Sequence, residues 1–243
     1  MKNNNERDIS VVIPVFNEGE NISDLYLQLQ KVLGSMPKDY EIIFVDDGST
    51  DNSFDILSEI HKKDSHFKIV KFRKNFGQTA ALDAGIKAAS GKIIITMDGD
   101  LQNNPADIPF ILEEMKKGYD VLSGWRYKRN DSLVRNFLSR CAYLMRKFLL
   151  GDMIHDSGCT LKAYKKECFD NLNLYGEMHR FIPAILNWKG FKIGEVKVTH
   201  NPRKKGKSKY NLTRIVKGFL DLLTIRFWIR YSASPIHLFG VVG

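Results

Sequence analysis

The chain has 243 residues, 43% hydrophobic and 27% charged, and carries a formal net charge of +9. That length and composition suit one large α/β domain with a sizeable core. Three cysteines, Cys141, Cys159 and Cys168, are odd in number and lack metal-ligand spacing, which excludes a disulfide framework and suggests a reducing compartment. The positive bias calls for anionic partners: nucleotide phosphates, nucleic acid or an acidic lipid surface. Residues 1–8 lack an apolar h-region, so no secretory signal is expected. No run approaches the ~18 apolar residues of a membrane span.

The first half alternates strands and helices. Residues 9–13 are a β-branched run that Pro14 is expected to halt. An amphipathic helix follows to Leu33, with Ile22, Leu25, Leu29 and Leu33 on one face. The buried strand 41–45 ends at Asp46-Asp47-Gly48-Ser49-Thr50-Asp51, where Ser49 or Thr50 is expected to cap the helix running to Lys63. Strand 68–72, an Ala-rich helix 78–89, a strand from Lys92, helix 107–117 and strand 120–124 continue the rhythm. The pattern means βαβ units and a mostly parallel sheet with helices on both faces.

Ligands of such sheets bind outside the carboxyl ends of the strands, and there the acids gather. The strand from Lys92 stops on Asp98-Gly99-Asp100, with Gln102 two residues further on. Acids so close repel. A hard divalent cation, Mg²⁺ or Mn²⁺, prefers such oxygen ligands and shares them with substrate phosphates; a solvated Asp-Gly turn is the plainer alternative. Pro14-Val15-Phe16-Asn17-Glu18, Asp46-Asp47 and Arg73-Lys74-Asn75-Phe76-Gly77 follow the other strands. Acids there can accept from ribose hydroxyls or a base N–H, and Arg73 can pair with a phosphate or brace a carboxylate. Asp46-Asp47-Gly48 also fits a simple turn and cap. Neither Gly-x-Gly-x-x-Gly nor a Walker loop is present, so phosphate is left to metal and basic side chains.

The second half reads as an acceptor and membrane-facing region. Arg126, Lys128, Arg129, Arg135 and Arg140 crowd the segment after the fifth strand, and a helix over 133–150 interleaves large apolar and basic residues. That is an interfacial helix or an ordinary amphipathic helix covering the sheet. His155-Asp156 invites a catalytic or metal reading, with a structural histidine as the commoner account. His179-Arg180 either caps the next helix or reaches the site. The cysteines read as packing residues. After a strand over 192–199, the loop 201–210 holds five basic residues and no acid, which is too short to argue a nucleic-acid patch. A helix over 211–231 is again interfacial in character. Residues 234–243 look like the start of a membrane helix. The expected division is a catalytic domain over 1–210 and, over 211–243, a juxtamembrane helix with the beginning of a membrane segment. A catalytic fragment cut before its anchor is favoured over a peripheral enzyme.

Several motifs recur in a fixed order: 11–18, 45–51, Arg73 to Gln78, Asp98 to Pro105, Asp156-Ser157-Gly158-Cys159, and Arg203 with Gly206 to Tyr210. In this order they resemble the inverting family 2 glycosyltransferases of the A-type, Rossmann-like fold. The likeness is to the branch that loads a sugar from a nucleotide donor onto a polyprenyl phosphate, undecaprenyl or dolichyl. The resemblance implies Mg²⁺ or Mn²⁺ held by Asp98, Asp100 and Gln102. It implies a nucleoside held by Pro14, Val15, Glu18 and Asp47, with Asn17, Asp46, Gly77 and Gln78 also on the donor side. It further implies a loop closing over the diphosphate through Arg203, Ser208 and Lys209, and an acceptor phosphate gripped by Arg126 and Arg135 with Ser139 nearby. Asp156 would orient the donor sugar or an arginine. Gly99, where Ala is more usual, is expected not to disturb the ligands.

The function so implied is metal-dependent inverting transfer from a UDP- or GDP-linked sugar to polyprenyl phosphate at the cytoplasmic membrane face, on an anionic surface. No nucleic acid is expected, and a homo-oligomer is left open. The alternative is a soluble glycosyltransferase acting on a saccharide hydroxyl, which would need a carboxylate base; Asp156 is the visible candidate.

Overall fold

The computed structural model describes residues 7–127, 145–147, 151, 154–202, 220 and 222–227. Five strands and four helices alternate first: β1 (Ile9–Val15), α1 (Gly19–Gly34), β2 (Tyr40–Asp46), α2 (Ser53–His61), β3 (Phe67–Lys71), α3 (Gln78–Ala88), β4 (Ile93–Thr96), α4 (Ile108–Met115) and β5 (Val121–Trp125). Then come β6 (Lys162–Lys165), α5 (Ile182–Trp188) and β7 (Ile193–Lys197). Among the described residues they make one sheet in the order β3-β2-β1-β4-β6-β5-β7. Every neighbour pair is parallel except the two made by β6.

Both faces are covered, which is why the strands read as continuous apolar runs. Val11, Ile13 and Val15 join α1 residues Ile22, Leu25, Leu29 and Leu33, and α4 residues Ile108, Ile111 and Leu112, in one core. Val12, Ile43, Val45 and Ile94 face the other way, onto α3 and α5. Leu222 and Ile225 from the C-terminal helical turn are buried in that second core.

Pro14 does not halt β1; the strand runs on to Val15, opposite Asp46. Successive residues of a strand present their backbone groups to alternate neighbours. The Val12 carbonyl accepts from Met97 and the Val15 carbonyl from Asp47, so Pro14 faces β4. The β4 pairing already ends at Thr96 opposite Val12. The missing proline N–H therefore falls where no ladder needs it.

The reversed strand β6 was not anticipated. Its run Lys162-Ala163-Tyr164-Lys165 has no β-branched residue, yet it lies between β4 and β5 with Lys162 buried. Lys162 Nζ donates to the carbonyls of Ser157 (3.2 Å) and Cys159, which repays part of that burial. Because β6 runs backwards, its leading loop, residues 154–161, arrives at the edge where the other strands end.

At the opposite edge one carboxylate pins three segments. Glu41 is fully buried and accepts from Ser10 Oγ (2.5 Å), Ser90 N (2.6 Å) and Ser90 Oγ (2.8 Å), with Lys68 Nζ 2.5 Å away. Burial alone would raise its pKa, but Lys68, Ser10 and Ser90 outweigh it and hold it down at about 2. The folded value lies below the ordinary 4.5, so this stabilisation is full above about pH 4.5 and is lost as pH falls toward 2. Glu41→Gln is expected to cost about 2 kcal/mol of unfolding free energy at neutral pH. Urea titrations from pH 7 to pH 3 should show that gap narrowing as the solution becomes more acid.

Candidate active site

Three loops meet beyond the ends of β1, β2 and β3, and hydrogen bonds lace them together. Asn17, in the left-handed region at φ 55, accepts from Thr50 N (2.8 Å), while Asn17 N donates to Ser49 Oγ (3.0 Å). Glu18 N donates to Ser53 Oγ (3.0 Å) and Gly19 N to Asp51 Oδ2 (3.2 Å). Ser49 and Thr50 thus bind the first loop and do not cap α2, which begins at Ser53 behind Asn52 with no side-chain cap. Gly48 is required here. At φ 71, a Cβ would lie 2.4 Å from the Lys74 carbonyl carbon and 2.7 Å from Asn75 N.

Asp47 ties down the third loop. Its carboxylate accepts from Phe76 N (2.7 Å), Gly77 N (2.9 Å) and Asn75 Nδ2 (3.0 Å). Burial, with Asp46 adding to it, raises its pKa against the Phe76 and Gly77 bonds. Expected at the nucleoside, Asp47 first serves as the anchor of this loop. Asp46 is different: Oδ1 accepts from Ser49 N (2.9 Å), while the buried Oδ2 has no donor among the described residues.

Beyond β4, Asp98 Oδ1 accepts from Gln78 Nε2 (2.7 Å) at the start of α3. Gln78, expected among the donor contacts, therefore holds Asp98. Burial and the neighbouring Asp100 push the Asp98 pKa up to about 6, against Thr160, Lys162 and Arg126. Asp100 accepts from Gln102 N (3.2 Å) across Leu101, whose φ of 62 is a strained value for a bulky residue. Among the described residues no three His, Cys, Asp or Glu side chains converge as a metal cluster. Two acids and one amide suit a hard cation whose other ligands are phosphate and water. Asp98, Asp100 and Gln102 thus fit Mg²⁺ or Mn²⁺.

Across the edge, Arg126 forms a two-pronged pair with Asp156, Nε to Oδ2 at 2.7 Å and Nη2 to Oδ1 at 2.8 Å. Burial opposes its charge, but Asp156 more than compensates and keeps the guanidinium pKa above its ordinary value. Gly158 leaves room for this pair, since a Cβ there would sit 3.1 Å from Arg126 Nη2. Glu195 accepts from the backbone N–H of His155 (2.8 Å) and Asp156 (3.3 Å), and from the His155 ring (2.6 Å), which stacks on Trp125. His155 thus serves the structural role.

His179 sits in a short turn before α5, with Arg180 Nε donating to its Nε2 (3.4 Å) and its Nδ1 2.6 Å from Thr79 Oγ1, beside Gln78. Arg135, Ser139, Arg203, Ser208 and Lys209 lie outside the described residues, as do most of the expected helices 133–150 and 211–231. In the first of these, Arg146 is buried and donates to the Ile154 carbonyl (2.9 Å). Sequence reasoning passed over Asn103, Thr160, Lys162 and Glu195. Asn103 lies inside the recognised motif Asp98 to Pro105 without having been given a role, and Thr160 directly follows another motif; the other two carried no signal.

A mostly parallel α/β sheet with acids gathered at its strand ends is compatible with the A-type glycosyltransferase fold, and comparison with known proteins supplies the family. Residues 10–172 match the glycosyl transferase family 2, and the chain belongs to that family; it is a glycosyltransferase. It is 42% identical over 241 residues to the dodecaprenyl-phosphate galacturonate synthase of Rhizobium johnstonii, covering 97% of this chain and 71% of that protein. It is 36% identical over 238 residues to the undecaprenyl-phosphate 4-deoxy-4-formamido-L-arabinose transferase of Yersinia pestis, covering 98% and 71%. The fold is similar to glucosyl-3-phosphoglycerate synthase of Mycobacterium tuberculosis, solved with Mn²⁺, UDP and product, at a TM-score of 0.66 and 19% identity, covering 90% and 80% of the two chains.

The three-donor anchor at Asp47 generates a direct expectation. Asp47→Asn, which trades one accepting oxygen for a donor, should lower the unfolding free energy by about 1–3 kcal/mol. Limited proteolysis should then cut the 73–77 loop faster than in the parent protein.

Proposed function

We propose that this enzyme transfers a sugar from a nucleoside diphosphate sugar, UDP- or GDP-linked, to a polyprenyl phosphate, with inversion at the anomeric carbon. The observation that carries this reading is the engagement of Asp156. A saccharide hydroxyl acceptor needs a base to take its proton. Both oxygens of the visible candidate, Asp156, already accept from Arg126. A phosphate monoester has a second pKa of about 6 and is largely dianionic at neutral pH, so it attacks without a base. The similarity to two sugar transferases named for polyprenyl phosphates runs along nearly the whole chain, acceptor half included, and supports the same choice.

On the donor side, the bare Asp46 Oδ2 suits a nucleobase N–H, and the laced loops around Asn17, Glu18 and Gly77 form the frame that receives the nucleoside. Pro14 and Val15 end β1 beside Asp46. Asp98, Asp100 and Gln102 would hold Mg²⁺ or Mn²⁺, which when bound neutralises the leaving diphosphate. The Mn²⁺ and UDP in the M. tuberculosis structure support that assignment. We assign Arg203, Ser208 and Lys209 to a basic loop closing over the diphosphate, and Arg135 and Ser139 to the acceptor phosphate. Arg126, fixed by Asp156, adds a preorganised positive charge toward the same side.

The work is done at the cytoplasmic face of the membrane. Among the described residues no helix is long and apolar enough to cross a bilayer. The C-terminal turn nevertheless leaves Leu220, Leu223 and Phe227 exposed while Leu222 and Ile225 enter the core. Those exposed residues, with the +9 net charge, suit an anionic lipid surface, and residues 211–243 form the juxtamembrane unit.

Incubation with labelled UDP- and GDP-sugars, undecaprenyl phosphate and Mg²⁺ or Mn²⁺ should move label into the organic phase. Chelator should abolish that transfer, and Asp100→Ala should slow it roughly 100-fold or more. Label passing only to soluble saccharides would refute the acceptor assignment. Co-sedimentation with anionic vesicles at low salt, released as salt rises and weaker with neutral vesicles, is the expected surface behaviour. A folded protein that ignores anionic vesicles would refute it.

A further inference from the structure

The loop that carries Asp156 is held by a side chain from another strand. Glu195 lies in the middle of β7, opposite Ser123 of β5, and its carboxylate reaches residues 155 and 156. Oε1 accepts from the backbone N–H of His155 at 2.8 Å and of Asp156 at 3.3 Å, and Oε2 lies 2.6 Å from His155 Nδ1. Two successive backbone N–H groups aimed at one point form a concavity that suits an anion, and here the chain fills it with its own carboxylate. The His155 ring is also stacked on Trp125, centroids 4.7 Å apart, and the Lys197 ammonium sits 5.7 Å from the Trp125 ring. Asp156 is thereby gripped twice, its backbone by β7 and its carboxylate by Arg126, the residue that follows β5. The Arg126 backbone N–H adds a further bond to Oδ2 at 3.2 Å. The Arg126 fork uses Nε and Nη2 and leaves Nη1 outside the pair.

We propose that Glu195 is a positioning residue, which by clamping the 155–156 backbone fixes Asp156 and through it aims the Arg126 guanidinium at the acceptor phosphate. The inference rests on the reading of Arg126 as an acceptor-side contact. A guanidinium grips a phosphate best when its donors are already in place, and a strand fixes them better than a loop does. β5 and β7 are paired from Val121 with Ile193 to Trp125 with Lys197, so residues 126 and 195 are carried by one rigid pair of strands. The clamp also explains why a glutamate, a poor strand former, stands at the centre of β7. Alanine there would leave the two N–H groups without this acceptor, and aspartate would keep the charge but fall short of them.

The test uses the full chain and reads binding of farnesyl phosphate, a short polyprenyl phosphate, by calorimetry, with binding of UDP or GDP in Mn²⁺ measured alongside. Glu195→Ala and Glu195→Asp should each weaken farnesyl phosphate binding roughly 10-fold and leave nucleotide binding as it is. Glu195→Gln should restore parental binding, because its carbonyl oxygen can accept both N–H groups while its amide donates to the neutral His155 ring. In an Arg126→Ala background, Glu195→Ala should weaken binding no further, since both act through one guanidinium, whereas a merely structural glutamate would add its own loss. If Glu195→Ala fails to fold by circular dichroism, Glu195→Asp reads the same link. Parental affinity in the folded Glu195 variants, with Arg126→Ala weakened, overturns the clamp alone. Nucleotide binding lost in step with farnesyl phosphate binding overturns it too, as the damage is then general. Parental affinity in Arg126→Ala, or no saturable binding by the parent, overturns the acceptor-side reading and the clamp with it.

Discussion

Carboxylates crowded at one sheet edge repel each other, and the structure of that edge is a distribution of donors that keeps them in place. Asp47 receives three N–H groups, Asp156 receives the Arg126 fork, and Asp98 receives Gln78. Asp100 takes the Gln102 amide and Asp46 the Ser49 amide. The donors come from loops that would otherwise drift apart, so neutralising the acids and assembling the site are the same event. What remains is uneven: Asp156 holds both prongs of Arg126, while Asp46 Oδ2 has no donor among the described residues and Asp98 is pushed toward neutrality by burial and Asp100. Accepting capacity therefore remains at Asp46, while Arg126 and Asp156 are held to each other.

Strand β6 makes this division possible. Were it parallel to its neighbours, the 154–161 loop would lie at the far edge with Glu41. Reversed, it delivers Asp156 to Arg126 and Thr160 to Asn103. The cost is a buried lysine. Lys162 is pushed toward neutrality first by burial, and the Ser157 and Cys159 carbonyls it bonds are part of the loop it supports.

Much of this was legible in the sequence, for identifiable reasons. β1 to β5 are apolar runs separated by amphipathic helices, and each ends on polar residues, so order, direction and the site's edge follow. β6 was invisible because four residues with two lysines carry neither β-branching nor alternation of exposed and buried types. Pro14 misled because strand propensity says nothing about which neighbour a missing N–H faces. The capping role expected of Ser49 or Thr50 was misassigned for a related reason: a local capping pattern does not reveal a partner in the loop after β1. Gly99 shows the opposite case, where a departure from family habit becomes intelligible. A Cβ there would lie 2.6 Å from Val15 Cγ1, so the branched Val15 occupies the space an alanine would need.

Strain and stability are also placed at opposite ends of the sheet. Of the three described non-glycine residues with positive φ, Asn17 and Leu101 sit at the site edge, beside the left-handed Gly48 pressed on the Lys74 backbone. Such conformations cost on the order of 1–3 kcal/mol each and persist only where surroundings over-determine them. At the other end Glu41 gathers Ser10, Lys68 and Ser90 around a carboxylate held well below its ordinary pKa. The same β2 strand carries Glu41 near its start and Asp46 at its end, in register with β1 along its whole length. A rigid strand fastened at its base is what lets the loops at its tip hold unfavourable angles. The Glu41 cluster, remote from every candidate ligand, is thus a condition for the geometry at Asp46 and Asp47.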